Sequence, residues 1–141
     1  MASLLTTDDQ IRPLLAATRT IAMVGASPKP DRPSYGVMAE LQRTGFRVIP
    51  VNPAAAGQII LGETVVATLA DIKEPVDIVD VFRRAEDTPD VARDAVAIGA
   101  KSLWLQLGIA NDDAARIALG GGLDVVMDRC TKVEVWRLLG R

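Results

Sequence analysis

The sequence predicts an α/β fold, with a mainly parallel sheet covered by helices on both faces. Three observations carry this. Short apolar runs alternate with stretches of helical period along the chain. The runs at 20–24, 47–51, 76–82, 102–105 and 124–127 are almost continuously apolar, as expected of strands buried on both faces. Glycine, proline and asparagine punctuate the junctions, so the pattern reads strand, helix, strand. The expected architecture is a Rossmann-like, doubly wound three-layer sandwich. Its ligands belong at the carboxyl ends of the strands.

The elements follow in order. Thr7-Asp8-Asp9-Gln10 is a capping box, and Ile11, Leu14 and Leu15 continue at helical spacing to about Ala17. Pro13 is tolerable only near that helix's start. Thr20 to Val24 reads as a buried strand ended by Gly25. Three prolines between Ala26 and Pro33 exclude regular structure, and a helix starts at Ser34 and runs to Gly45. The second strand, 47–51, closes on Asn52-Pro53. The stretch 54–67 has no clear pattern; a turn at 58–62, an edge strand at 64–66 and a helical turn at 69–72 are expected. A strand at 76–82 precedes a helix at 88–98, with Pro89 in its first turn and Gly99 at its end. A strand at 102–105, a helix capped by Asn111, a strand at 124–127 and a helix at 133–139 complete the chain. Neither a repeat nor a second domain is visible, so residues 1–141 are expected to be one domain.

Composition narrows the function classes. The chain is 49% apolar and 24% charged, ordinary for a globular protein with a core. A net charge of −2 argues against a nucleic-acid or membrane-surface binder, although a local basic loop can hold one small anion. Trp104 and Trp136 are not interleaved with basic residues and read as packing residues. No apolar run approaches the roughly 20 residues that span a bilayer. The amino terminus has no basic region before an apolar stretch, so no secretory signal is expected. The lone Cys130 fits a reducing, cytoplasmic compartment. The absence of histidine removes His-based acid–base catalysis, Ser-His-Asp and Cys-His arrangements, phosphohistidine relays and the usual zinc ligand sets. No catalytic residue and no metal site are assigned.

The informative segment is the loop Gly25-Ala26-Ser27-Pro28-Lys29-Pro30-Asp31-Arg32-Pro33-Ser34-Tyr35-Gly36. Gly25 permits a sharp turn after the first strand. A helix starting near Ser34 aims its N–H groups and positive dipole end at the loop. Gly36 allows close approach of a ligand or of the sheet. Ser27, Ser34 and Tyr35 supply hydroxyls, and Lys29 and Arg32 supply charge, so the loop suits a pyrophosphate. The dinucleotide fingerprint G-x-G-x-x-G is not met, because Ser27 stands where it needs glycine. Asn52-Pro53 occupies the position where NAD-binding proteins carry an acid for the ribose. At the next strand end, Arg83 meets either a phosphate or solvent, and Phe82 meets either the ligand or the core. Arg84 reads as a solvent residue. Gln106, after a further strand, either lines the same crevice or caps a loop.

These segments resemble a known family: the stand-alone coenzyme A-binding Rossmann proteins, relatives of the coenzyme A-binding domain of the succinyl-CoA synthetase α subunit. The likeness rests on Ile21 to Ser27, Asp31 to Tyr35, Val48 to Pro53, Leu61-Gly62-Glu63, Val76 to Arg83, Leu103 to Gly108 and Val126 to Cys130, in order along nearly the whole chain. It implies a five-stranded parallel core with coenzyme A in the crevice. Ligand contact is carried onto Gly25, Ala26, Ser27, the stretch Lys29 to Gly36, Asn52, Pro53, Phe82 and Arg83. Members often have Lys or Arg just after the Asn-Pro step, where this chain has Ala54; either the affinity is lower or Lys29 and Arg32 carry more of the charge. The synthetases also need a phosphohistidine and further domains, so a complete ligase activity is not expected of this chain alone.

Two residue types remain. Cys130 reads either as a buried structural thiol, the favoured reading, or as a partner for the coenzyme A thiol. Asp77 and Asp80, three apart on a strand, point to opposite faces and do not form a catalytic dyad. The expected function is a non-catalytic coenzyme A- or acyl-CoA-binding module, sensor or carrier. The alternatives are an NAD(P)-dependent oxidoreductase and an adaptor that keeps the fold without a ligand.

Overall fold

A computed structural model of the protein describes residues 1–141. The main elements are α1 (Asp8–Ala17), β1 (Thr20–Val24), α2 (Pro33–Arg43), β2 (Arg47–Val51), β3 (Ile59–Ile60), β4 (Glu63–Thr64), β5 (Ile78–Val81), α3 (Thr88–Ala97), β6 (Ser102–Leu105), α4 (Asp112–Gly120), β7 (Asp124–Val126) and α5 (Thr131–Leu139). Five strands form a parallel sheet in the order β2-β1-β5-β6-β7. The winding reverses between β1 and β5, and in such sheets the ligand crevice opens at that switch point.

Alternation along each strand sends side chains to two cores. Ile21, Met23, Ile78, Trp104 and Val126 pack beneath helices through Leu15, Met38, Leu41 and Leu138 of α1, α2 and α5. Ala22, Val79, Leu103 and Val125 pack on the other side with Val91, Ala92, Ala95, Ala114 and Ala118 of α3 and α4. The alanines let α3 and α4 sit close to the sheet and to each other. The layers are helix, sheet, helix, and the fold is the Rossmann-like α/β class that the sequence predicts.

Local expectations need several corrections. Thr7 caps α1 through the expected capping box, but Pro13 lies inside the helix rather than at its start. Helix α2 begins at Pro33, with Arg32 as its N-cap. The segment 58–66 forms a small antiparallel hairpin, β3–β4, whose turn uses Leu61 at φ 49° and Gly62 at φ 85°. Val66 bridges to Val51 beside β2 instead of extending an edge strand. Helix α5 starts at Thr131, two residues early, so Cys130 is its N-cap. Trp104 is fully buried and donates its indole N–H to Arg129 O at 2.7 Å. Trp136 does not pack as expected: it stands 67% exposed on the outside of α5.

Candidate functional site

Gly25 fastens the switch point. Its N–H donates to Val51 O at 2.9 Å, while Phe82 N–H donates to Val24 O at 2.8 Å, so the ends of β2, β1 and β5 are drawn together. Its φ is +87°, and a Cβ there would lie 2.3 Å from Phe82 O. No other residue fits that backbone.

The loop then folds on itself. Ser27 N–H donates to Ser34 Oγ at 3.1 Å, and Lys29 N–H donates to Ser27 Oγ at 3.2 Å. Asn52 Nδ2 donates to Ala26 O at 2.8 Å and its Oδ1 accepts from Ala54 N–H at 3.0 Å. Asn52 is therefore a tether between β2 and the loop, a task that needs both a donor and an acceptor.

A cavity of about 580 Å³ opens at the carboxyl ends of β1, β5 and β6. Gly25, Ser27, Arg32 and Ser34 enter it from the first loop, and Phe82 and Arg83 from the end of β5. These are six of the residues picked out in the sequence. Ala26 is buried directly beneath the loop. The others lie outside the lining: Lys29 is exposed, Tyr35 packs on the core from the first turn of α2, and Gly36 faces a separate depression with Trp136. Pro53 borders a smaller crevice of about 270 Å³ across Arg83, shared with Asp87, Asp90 and Asp94.

Four further lining residues matter. Arg84 joins Arg32 and Arg83, so the lining holds three guanidinium groups and no carboxylate. Arg84 is thus a cavity residue, not only a solvent one. Arg83 and Arg84 both share Asp87 at 3.3 Å. Arg32 has no side-chain cap bond and no ion-pair partner. Gln106 lines the cavity, which decides its two sequence readings in favour of the crevice. Leu107, which is exposed, and Cys130 complete that side. Cys130 is half-buried, not the buried structural thiol favoured from the sequence, because α5 starts at Thr131 and turns its N-cap toward the opening.

Below the cavity floor lies a polar cluster. Asp80 is wholly buried on β5 and accepts from Gln106 Nε2 and, at 3.0 Å, from Thr131 Oγ. Gln106 Nε2 also donates to Thr131 Oγ at 2.9 Å. Burial pushes the Asp80 carboxyl up to about 7, and the bonds from Gln106 and Thr131 only partly oppose that. Asp77 behaves oppositely. Burial works to raise it, but N–H groups of Thr20 and Arg19 and the Lys101 ammonium outweigh burial and hold it below the usual range. The two carboxyls serve different places, as their opposite faces require. The signal for the cluster was Asp80 between Val79 and Val81 in an apolar strand run, a position that demands buried partners.

The fold and this cavity define a doubly wound α/β domain with a cationic opening at the switch point. The chain belongs to the CoA binding domain family, whose model matches residues 19–136. It is 40% identical over 124 residues, 88% of this chain and 90% of the relative, to the uncharacterized protein YneT of Bacillus subtilis (strain 168). The solved structure of cell-free ID.343 from Thermus thermophilus superposes with TM-score 0.90 at 41% identity, covering 94% of this chain and 99% of that one. The dinucleotide forming acetyl-coenzyme A synthetase 1 of Ca. Korarchaeum cryptofilum shares the fold at TM-score 0.66 and 24% identity. The match covers 75% of this chain and 25% of that one. No helix is long and apolar enough to cross a membrane. No group of three metal-ligating acids, cysteines or histidines is present.

Proposed function

We propose that the cavity binds coenzyme A or an acyl-CoA and that the protein works as a binding module, sensor or carrier without chemistry of its own. The observation that carries this is a cavity lined by three arginines and no carboxylate, at the switch point of a chain in the CoA binding domain family. Ser27, Ser34, Arg32 and Arg83 suit the phosphates, since helix α2 opens there without a side-chain cap. Gly25, Ala26 and Asn52 shape that loop from below. Phe82 offers a flat apolar surface to the adenine or the pantetheine arm. Lys29, Tyr35, Gly36 and Pro53 flank the cavity and enter the reading only as neighbours of its rim.

On this proposal residues 1–141 act as one domain in the cytoplasm, a compartment that a lone cysteine without a disulfide partner fits. Asn52 disfavours NAD because it brings no carboxylate for the ribose hydroxyls and its amide is turned to Ala26 O and Ala54 N–H. Calorimetric titration with coenzyme A, acetyl-CoA, NAD and NADP tests the proposal. Saturable binding of coenzyme A or acetyl-CoA is expected. Tight NAD binding without a coenzyme A response would favour the oxidoreductase, and no binding at all would favour the adaptor.

A further inference from the structure

The β6–α5 side of the cavity has no charged group in its lining. Gln106, Leu107, Ile109 and Cys130 form it, whereas the three arginines come from the β1 loop and from β5. A ligand with phosphates at one end and a neutral arm at the other can satisfy both sides in only one direction. The neutral arm then runs toward Cys130.

Two independent features make that end a built site. Gln106 is 3% exposed, and its amide nitrogen is committed to Asp80 and Thr131. This fixes the amide, so Oε1 is turned away from the cluster. Oε1 accepts from no protein group, yet no buried side-chain oxygen in the protein is left unsatisfied, so Oε1 must reach the cavity. An acceptor held this way calls for a donor on the ligand. The second feature is the thiol. Cys130 occupies the N-cap of α5, makes no cap hydrogen bond there, and borders both the main cavity and a shallow depression outside it. Cys130 rests partly against the core and is open from two sides as well.

We propose that Cys130 is a modification site, forming a mixed disulfide with the thiol of coenzyme A held in the cavity. The inference rests on the coenzyme A reading above. The co-reactant is coenzyme A disulfide. The Cys130 thiolate attacks one sulfur of that disulfide, the Cys130–coenzyme A S–S bond forms and the original S–S bond breaks. The departing coenzyme A thiolate takes up a proton from solvent, replacing the one Cys130 released. One disulfide is exchanged for another, with no further oxidant. Excess thiol reverses the step. The protein would then store the oxidised state of the coenzyme A pool as a covalent mark at the mouth of its own ligand site.

The test is intact-mass spectrometry of the purified chain incubated with coenzyme A disulfide, beside glutathione disulfide at equal concentration. We expect one coenzyme A adduct per chain, removed by dithiothreitol and absent in Cys130→Ser. Its rate should exceed that of the glutathione adduct at least tenfold, and excess acetyl-CoA, which has no free thiol, should slow it. An equal rate with glutathione disulfide would overturn the proposal, since the thiol would then be merely reactive. An unmodified chain that still binds reduced coenzyme A in calorimetry would overturn it while leaving the ligand reading intact. Failure to bind coenzyme A at all would overturn both.

Discussion

The two sides of the cavity are built on opposite chemistry. The β1–β5 side is made of backbone and positive charge: a glycine turn, two serines that bond the loop to itself, and three arginines. The β6–α5 side is made of fixed, neutral groups, and its one polar face rests on a buried carboxyl cluster. A site for inorganic phosphate would need only the first. A site for a long ligand with one charged end needs both, with the charge confined to one side. Altering each side in turn shows whether that division is real.

The largest effect should come from Gly25→Ala. The substitution combines a positive φ with a Cβ 2.3 Å from the Phe82 carbonyl. Left-handed strain of about 1–2 kcal/mol and overpacking of about 1–3 kcal/mol add. We expect a loss of about 2–5 kcal/mol in chemical denaturation, and loss of coenzyme A binding in whatever fraction still folds. A variant of wild-type stability would mean that the strand ends are not pinned as described.

Next in size is the pH response of the neutral side. The folded pKa of Asp80, about 7, lies above its unfolded value near 4. The folded state therefore holds a proton that the unfolded state has lost between those limits. Its contribution to stability is full below pH 4, falls as pH rises to about 7 and is flat beyond. The cost of ionising it in place is on the order of 2–4 kcal/mol. Asp80→Asn should remove that fall, so the stability difference between variant and wild type should shift toward the variant from pH 5 to pH 8. Parallel pH curves for the two proteins would place the proton elsewhere.

These two sites were not equally legible in the sequence. Gly25 could be read because a glycine ending the first buried strand has few uses in this fold. The sheet was legible for a similar reason, since its buried strands leave long apolar runs. The Asp80 cluster was hidden because its partners, Gln106 and Thr131, lie 26 and 51 residues away and meet only through packing of α5 over β5 and β6. The partial exposure of Cys130 was hidden for the same cause. A helix start shifted by two residues turns the N-cap toward the cavity, and no periodicity in 128–133 marks that shift. The hairpin at 58–66 was obscure because strands of two residues are too short to show a period.

Arg32→Ala tests the charged side more gently. Its guanidinium has no partner in the protein, so folding stability should stay within about 0.5 kcal/mol. A charge-assisted bond to phosphate is worth about 1.5–3 kcal/mol, which corresponds to about 10- to 100-fold weaker binding of coenzyme A. The loss should shrink at high salt. Arg83→Ala should cost less, because Arg83 must first leave Asp87. Equal losses from both variants would mean that the Asp87 pair does not compete with the ligand.

The smallest effect decides what Asn52 does. If its side chain reads the ribose of a ligand, Asn52→Asp supplies the acid that NAD recognition uses, and NAD affinity should rise without a change in stability. If Asn52 is the tether seen between Ala26 O and Ala54 N–H, the aspartate loses the donor and sets a carboxylate oxygen against a carbonyl. The tether reading then gives a loss of about 1 kcal/mol, seen as a melting temperature lower by roughly 3–6 °C. It also gives weaker coenzyme A binding through the displaced loop and no gain for NAD. The geometry favours the second result, because the bonds to Ala26 O and Ala54 N–H already turn the amide toward the loop backbone and away from a ribose. A gain in NAD affinity at unchanged melting temperature would reverse that assignment and make the end of β2 part of the ligand-reading surface.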